Sequence, residues 1–561
     1  MRIDKLYIKE FKNLKEFHID LDENQMNTVL LGQNATGKSN FIEALIKIFK
    51  YLDLEKEPPI EPGLGYKLEY KIVYEIKNSK VIVIFDGKYK FLFSDNIDQK
   101  DEPDENYTIV PKAKFFREKD EYLPKYVFAY YSGISDRLNK LFWDHQRKFY
   151  EKIIKPDFDK TEVDDLRRLF YVKPIHSFFV LLAFFALDSM EEKSRSFLID
   201  ILGIEDLESV LFVLKEPKSK WNNKDGDKRF FNARGLVQEF LSELWEFSLA
   251  PIYNPETVKI DFNREETQNR LYLFIKDKKQ LQAFTKKYFD LNKELPNNTY
   301  LFKALESTYI SSLLEEVKVK VKKRVDGKVT FKELSEGEQQ LLTVIGLLMF
   351  TREKESLILL DEPDTHLNPL WKYDYLYYLR TLAKSQTNLN KEGEVEEDRT
   401  TQIIINTHDP LVIGSLDKSQ VKLFRRDEET NQIKAESPSV SPKGLGVAGI
   451  LTSELFGLPT ILDKETQAKL NRKRFLQGKI LREESLDQNE YLEYHTLKAE
   501  LEKYGFYEEV EDQLFKMYLA EISKQELIQK VEFTKEEKVF LQVESKKAAE
   551  RVLEKLKNKT L

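Results

Sequence analysis

The sequence predicts an α/β protein: a mixed sheet flanked by helices, split by a large helical insertion and followed by a C-terminal helical region. Three observations predict it. A Gly-rich loop, Gly32–Ser39, stands between an apolar strand pattern at Asn27–Leu31 and a helical pattern at Asn40–Leu52. Two later apolar runs, Leu357–Leu360 and Ile403–Ile405, each deliver polar residues at their ends. Between these blocks the pattern from 135 to 315 is mainly helical.

Residues 1–31 alternate apolar and polar positions, a hairpin pattern. In Asn40–Leu52 the residues Phe41, Ala44, Leu45, Ile48 and Phe49 share one helical face. Residues 66–94 return to strand character, with Asp86-Gly87 as a turn. The apolar runs Phe178–Leu187 and Leu341–Phe350 read as buried helices, because a bilayer span needs about 20 apolar residues. Gln386–Thr400 is polar and loop-like. The expected organisation is a first lobe at 1–134, a helical insertion at 135–315, a second lobe at 316–435, a linker at 436–460 and a helical region at 461–561.

Composition excludes several chemistries. The 561 residues contain no Cys, which rules out disulfides, thiolate metal sites and thiol catalysis. That composition suits a reducing cytoplasm. The charged N-terminus lacks an apolar core of signal-peptide type, so a cytoplasmic protein with no membrane attachment is expected. Lys+Arg is 90 against Asp+Glu 97, a net charge of −7, so any nucleic-acid contact must come from a local patch.

Four motifs carry chemistry. Gly32-Gln33-Asn34-Ala35-Thr36-Gly37-Lys38-Ser39, followed by Asn40, matches G-x-x-x-x-G-K-[ST]. Its glycines let backbone N–H groups curl around phosphate, Lys38 supplies a cation to the β and γ phosphates, and the Ser39 hydroxyl suits Mg²⁺. At the end of Leu357–Leu360 stand Asp361 and Glu362, a metal-holding carboxylate and one that polarises water. Leu334-Ser335-Glu336-Gly337-Glu338 opens a helix: Ser335 and Gly337 sit at a phosphate-ready N-terminus, and Ser335 with Glu338 equally fits an ordinary capping box. His408 ends the fourth motif.

The order of these motifs resembles the ABC ATPase superfamily: a Walker A loop, a Leu-Ser-x-Gly signature, a Walker B strand with Glu, and a switch His. Ile8-Lys-Glu-Phe-Lys-Asn-Leu14 and Asp361-Glu-Pro-Asp-Thr-His-Leu-Asn-Pro369 look like the RecF/SMC/OLD-like branch. That resemblance implies an ABC ATPase head with ATP and Mg²⁺ as ligands. It implies a head-to-head homodimer or higher even oligomer, in which Ser335, Gly337 and Asn368 of one subunit close over nucleotide held by Lys38, Asp361, Glu362 and His408 of the other. Lys12 falls near a phosphate-contacting position. The Q-loop glutamine has no clear counterpart, Gln99 being a weak candidate. The Tyr130–Arg137 segment and the compact insertion look similar to ATPases of bacterial antiphage systems, the Septu and retron-associated ones.

That likeness implies an ATPase that senses nucleic acid or a phage signal and controls a partner nuclease, HNH-type or retron-linked. The alternative is a RecF-like repair ATPase without an effector, and the neighbouring gene distinguishes the two. A transporter subunit would lack so large an insert. An OLD-type nuclease needs a carboxylate set after Pro410, where only Arg425–Glu429 is found. The strand Val317–Arg324 presents Lys318, Lys320 and Lys322 on one side. It reads as a row of phosphate contacts or, preferably, as a solvated edge.

Overall fold

The computed structural model describes all residues except 62, 64, 98, 100, 102–104, 156–166, 188–191, 218–225, 293–297, 326–327, 347, 349–354, 383–400, 507–512, 531–532 and 560–561. The expected Gln386–Thr400 loop lies outside the described residues. The chain divides into two compact units, Met1–Leu445 and Gly446–Leu561.

In the first unit the apolar runs build a seven-stranded sheet. Its order is Ile433–Glu436, Val421–Arg426, Asn27–Gly32, Thr401–Asn406, Ser356–Asp361, Tyr126–Tyr131, Leu169–Val172. Every pairing is parallel except that between Val421–Arg426 and Ile433–Glu436. Parallel strands are buried on both faces, which is why they read as continuous apolar runs. The register sets Asp361 opposite Tyr131 on one side and Asn406 on the other. Asn406 in turn pairs with Leu30, at the mouth of the Gly-rich loop. Four strands thus end together, where open α/β sheets place their ligands.

A second, six-stranded sheet is antiparallel throughout, in the order Leu14–Asp20, Arg2–Phe11, Tyr70–Ile76, Ser79–Phe85, Tyr89–Ser94, Thr108–Val110. The hairpin turn at Asp86-Gly87 is as expected. The helix Lys38–Asp53 shares one apolar core with both sheets and is buried almost all round. Its buried charges are therefore paired: Glu43 with Lys12 at 2.6 Å, Lys47 with Glu61 at 2.5 Å, and Lys50 with Asp144 at 2.6 Å.

The insertion departs from the helical expectation. It has the helices His176–Ala186, Gly235–Phe247, Lys278–Asn292 and Asn298–Ile310, but three of its segments are long strands. Together with Leu314–Val325 and Lys328–Lys332 these form a five-stranded antiparallel sheet ordered Ile252–Asp261, Arg264–Ile275, Ile204–Lys215, Leu314–Val325, Lys328–Lys332. The lysine-bearing strand is therefore interior rather than an edge. Lys318 lies 3.5 Å from Glu316 and Lys322 3.7 Å from Glu208, so exposed carboxylates answer two of the three lysines.

The insertion is fastened by a buried ionic group. Glu306 receives Arg167 at 2.8 Å and His176 Nε2 at 2.7 Å. The Lys173 N–H donates to His176 Nδ1 at 2.9 Å, so Nε2 carries the proton that goes to Glu306. Burial pushes the Glu306 carboxyl up, but His176 and Arg167 together outweigh it and hold it at about 2. Replacing Glu306 by Ala should destabilise the chain by about 3–5 kcal/mol, because Arg167 is left buried without its anion. A depressed carboxyl stabilises the fold fully above its ordinary value of 4.5 and loses that contribution as pH falls toward about 2. Urea unfolding of Glu306→Ala, repeated between pH 7 and pH 3, checks both: the gap between variant and parent should narrow with acid.

The second unit is helical, with Gly446–Thr452, Lys464–Leu481, Gln488–Lys503, Gln513–Ile522 and Lys535–Lys559. Asp463 and Asp487 cap two of these helices, the latter in a capping box with Glu490. A Cβ at Gly478 would run into Ser523, so glycine is what lets Lys464–Leu481 approach the end of Gln513–Ile522. The expected 436–460 linker is only partly open, since it contains the helix Gly446–Thr452 and the boundary between the units. No helix among the described residues is long and apolar enough to cross a membrane.

Candidate active site

The Gly-rich loop is shaped by backbone that few residues tolerate. Gly32 has φ +146°, and a Cβ there would strike the Phe424 carbonyl. Gly37 has φ +91°, with Leu14 2.7 Å from where a Cβ would stand. Between them Ala35 sits at φ 64°. Thr36 Oγ1 closes the turn onto the Gln33 carbonyl at 2.7 Å. Gln33, Asn34 and Ala35 are exposed at the crest. Gly37 is the N-cap of Lys38–Asp53 and brings no side chain to cap it, which leaves the helix N-terminus to an anion.

Lys38 Nζ donates to the carbonyls of Gly32 at 2.8 Å and Gln33 at 3.0 Å. Burial pushes its pKa down to about 8, against the pull of Asp361 and Glu362. Ser39 Oγ lies 3.1 Å from Asp361 Oδ1, which also accepts from the Asn406 amide. Asp361 is wholly buried, and its Oδ2 has no hydrogen-bond partner among the described residues. Burial raises its pKa. A buried carboxylate oxygen left over beside a serine hydroxyl is a hard-oxygen donor set, and it fits Mg²⁺.

Glu362 follows at φ 54°, a left-handed conformation held by its own N–H on the Asn406 carbonyl at 2.9 Å. Strain of this kind persists where surrounding structure imposes it, often at functional positions. Glu362 Oε1 lies 3.8 Å from His408 Nε2. Burial and then the Lys38 charge lower the His408 pKa, so its ring is neutral near pH 7. Lys38, Ser39, Asp361, Glu362 and His408 are thus brought to one strand-end cluster.

Ser335 and Gly337 open the helix Glu336–Leu341, and Asn368 precedes the helix Pro369–Leu382. Ser335 caps Glu336–Leu341 in a capping box with Glu338. A Cβ at Gly337 would lie 2.8 Å from the His366 carbonyl, and the His366 N–H donates to Gln340 at 2.9 Å. The signature helix is therefore seated on the loop that follows Glu362. Asn368 Oδ1 caps the helix Pro369–Leu382 through the Trp371 N–H at 2.9 Å. Lys12 is turned to Glu43 at 2.6 Å; its neighbour Asn13 reaches the loop instead, donating to the Ala35 carbonyl at 2.9 Å and accepting from Asn40 at 2.7 Å. Gln99 belongs elsewhere: its carbonyl accepts from Lys80 in the antiparallel sheet.

Two neighbours of the site were not singled out by sequence reasoning. Asn406 bonds to Asp361 and carries the carbonyl that holds Glu362. Arg137 places NH2 3.8 Å from Asp361 Oδ2 and Nε 3.9 Å from Glu43. Its segment was visible as Tyr130–Arg137, but only the parallel pairing of Tyr126–Tyr131 with Ser356–Asp361 shows where that segment goes.

What this fold and site define is an ATPase domain with a phosphate-binding loop. Residues 215–414, the span that holds Ser335, Asp361, Glu362 and His408, match the family described as "AAA domain, putative AbiEii toxin, Type IV TA system". The chain is 28% identical over 180 residues to "Septu protein PtuA" of Bacillus mycoides (strain KBAB4), covering 31% of this chain and 22% of that protein. It is 22% identical over 264 residues to "Retron Vc95 probable ATPase" of Vibrio cholerae serotype O1 biovar El Tor, covering 42% of this chain and 47% of that protein. The matches thus span less than half the length of either relative. Among solved structures, the SMC head bound to the C-terminal winged-helix domain of ScpA aligns with 78% of this chain and 98% of its own, at 13% identity and a TM-score of 0.31. The likeness to Septu and retron-associated ATPases read from the motifs is met by the two relatives.

Proposed function

We propose that this chain is the ATPase of an antiphage defence system, hydrolysing ATP between two heads and controlling a nuclease carried on another chain. The observation that carries the ATPase part is the strand-end cluster: Ser39 on Asp361 at 3.1 Å, an Asp361 oxygen with no hydrogen-bond partner among the described residues, and Glu362 beside His408 at 3.8 Å. The similarity to the Septu and retron proteins supports the defence role.

In this reading the loop N–H groups and Lys38 take the β and γ phosphates. Ser39 and Asp361 would hold Mg²⁺, which when bound offsets phosphate charge. Glu362 orients a water and accepts its proton as the water oxygen bonds to the γ-phosphorus. The bond from that phosphorus to the β–γ bridging oxygen breaks, and ADP and phosphate leave. His408, neutral, donates a hydrogen bond to the γ-phosphate. Ser335, Gly337 and Asn368 act from the second subunit, as the resemblance to ABC-type heads implies.

DNA cleavage falls to the partner in this reading. Among the described residues one group of three carboxylates, Asp4, Glu23 and Asp101, could gather around a metal. Two of the three already have cations: Asp4 has Arg2 at 2.9 Å, and Asp101 has Lys5 at 2.8 Å and Lys80 at 2.6 Å. Purified chain incubated with plasmid, ATP and Mg²⁺ or Mn²⁺ should leave the DNA intact, and adding the product of an adjacent nuclease gene should cut it. Cleavage that co-purifies with the chain alone would contradict this reading.

A further inference from the structure

Arg137 is loosely held. Elsewhere in the first unit, Arg167 meets Glu306 at 2.8 Å, Arg168 meets Asp53 at 2.8 Å and Arg2 meets Asp4 at 2.9 Å. Arg137 instead has NH2 3.8 Å from Asp361 Oδ2 and Nε 3.9 Å from Glu43 Oε2, both beyond hydrogen-bond range. Its side chain is 35% exposed, against 4% for Arg167. The guanidinium lies 5.7 Å from the centre of the Tyr131 ring, within cation–π reach. A planar fork of donors that suits paired contacts to phosphate is thus partly open to solvent beside the candidate active site.

Position gives that fork a role. Ser39 Oγ lies 3.1 Å from Asp361 Oδ1, so Ser39 and Arg137 approach the two oxygens of one carboxylate. Glu43 stands one helical turn beyond Ser39 on the same face of Lys38–Asp53, which sets Arg137 alongside the start of the helix whose N-terminus is left to an anion. Neither carboxylate depends on Arg137 once the site is filled. Glu43 already has Lys12 at 2.6 Å and Lys47 at 3.7 Å, and Asp361 would have Mg²⁺. The backbone around Arg137 is fixed. The Ser132 N–H donates to the Asp361 carbonyl at 3.2 Å, and Leu138 is wholly buried in the core shared by both sheets. Only the arginine side chain has to turn.

We propose that Arg137 recognises the γ-phosphate: its guanidinium donates to the γ-phosphate oxygens of nucleotide held by the same chain, and so makes the site prefer ATP to ADP. The proposal rests on the ATPase reading of the strand-end cluster. A purely structural cation would be drawn into hydrogen-bond contact with its carboxylate, as Arg167 is with Glu306. Arg137 is not, because its charge is shared between two carboxylates and closes on neither. Asp361 is followed by Glu362, the residue read as orienting the attacking water, so a cation beside Asp361 stands at the end of the triphosphate that is attacked. A bidentate donor there also meets the charge spread over the phosphoryl oxygens during transfer.

The test is calorimetry of the full chain with Mg²⁺ and either ADP or the non-hydrolysable triphosphate adenylyl imidodiphosphate. The parent chain should bind both. Arg137→Ala should weaken the triphosphate by about tenfold to a hundredfold and ADP by less than about twofold, since a charge-assisted bond is lost only where a γ-phosphate is present. Arg137→Lys, which keeps the charge and loses the fork, should fall between parent and alanine variant. Arg137→Gln, uncharged and polar, should match alanine, so that one poorly folded variant does not decide the outcome. Equal weakening of both nucleotides in the alanine and glutamine variants would make Arg137 a structural support and overturn the proposal, and so would an unchanged triphosphate affinity. A parent chain that binds neither nucleotide would overturn the ATPase reading itself, and this proposal with it.

Discussion

Glu362→Gln should bind ATP at near parental affinity, lower turnover by about 10²–10⁴-fold and hold the ATP-bound heads together. The range is that of a general base removed from its reaction. Gln keeps the size of Glu and so keeps the φ 54° backbone and the N–H bond to Asn406 that place the side chain. What it loses is the capacity to take a proton from water. A dimer that forms on ATP and falls apart on hydrolysis should then accumulate. Size-exclusion chromatography with ATP and Mg²⁺ reads this directly, and a parental hydrolysis rate in the variant would remove Glu362 from its role.

The second large effect is expected at Lys38. Lys38→Ala should abolish ATP binding in calorimetry and lower turnover by about 10²–10³-fold or more, as for loss of a charge-assisted donor aimed at the reacting group. The structure adds a reason beyond the phosphate contact. Lys38 Nζ ties the Gly32 and Gln33 carbonyls together at 2.8 and 3.0 Å, so the lysine also shapes the loop that must receive phosphate. Unchanged ATP affinity in this variant would place the nucleotide elsewhere.

How much of this was legible in the sequence depended on how local the signal was. Asn27–Gly32, Ser356–Asp361 and Thr401–Asn406 announce themselves because parallel strands are buried on both faces and so appear as unbroken apolar runs. The Ser335–Glu338 capping box is a four-residue pattern and could be read outright. The insertion's sheet could not. Its core pairing joins Ile204–Lys215 to Leu314–Val325 across the 98 residues 216–313, and no local pattern encodes such a partner. Ile252–Asp261 hides further, because it is exposed along most of its length, polar in sequence and interrupted by Pro255. The interior position of the lysine strand was missed for the same reason: alternation reports two faces, not which neighbours lie on either side. Within the site, Arg137 and Asn406 were illegible because their roles arise from register between parallel strands.

The central claim is that hydrolysis requires the signature of one chain on the nucleotide of another. Mixing two inactive variants tests it most directly. Lys38→Ala disables the nucleotide loop and keeps the signature; Ser335→Arg blocks the signature and keeps the loop. Each should be inactive alone. Mixed in equal amounts, half of the dimers formed would pair unlike chains, each with one intact site of two, and the mixture should recover about a quarter of the parental rate. A mixture no more active than its separate components, or a Ser335→Arg chain that hydrolyses ATP at the parental rate by itself, would contradict the claim.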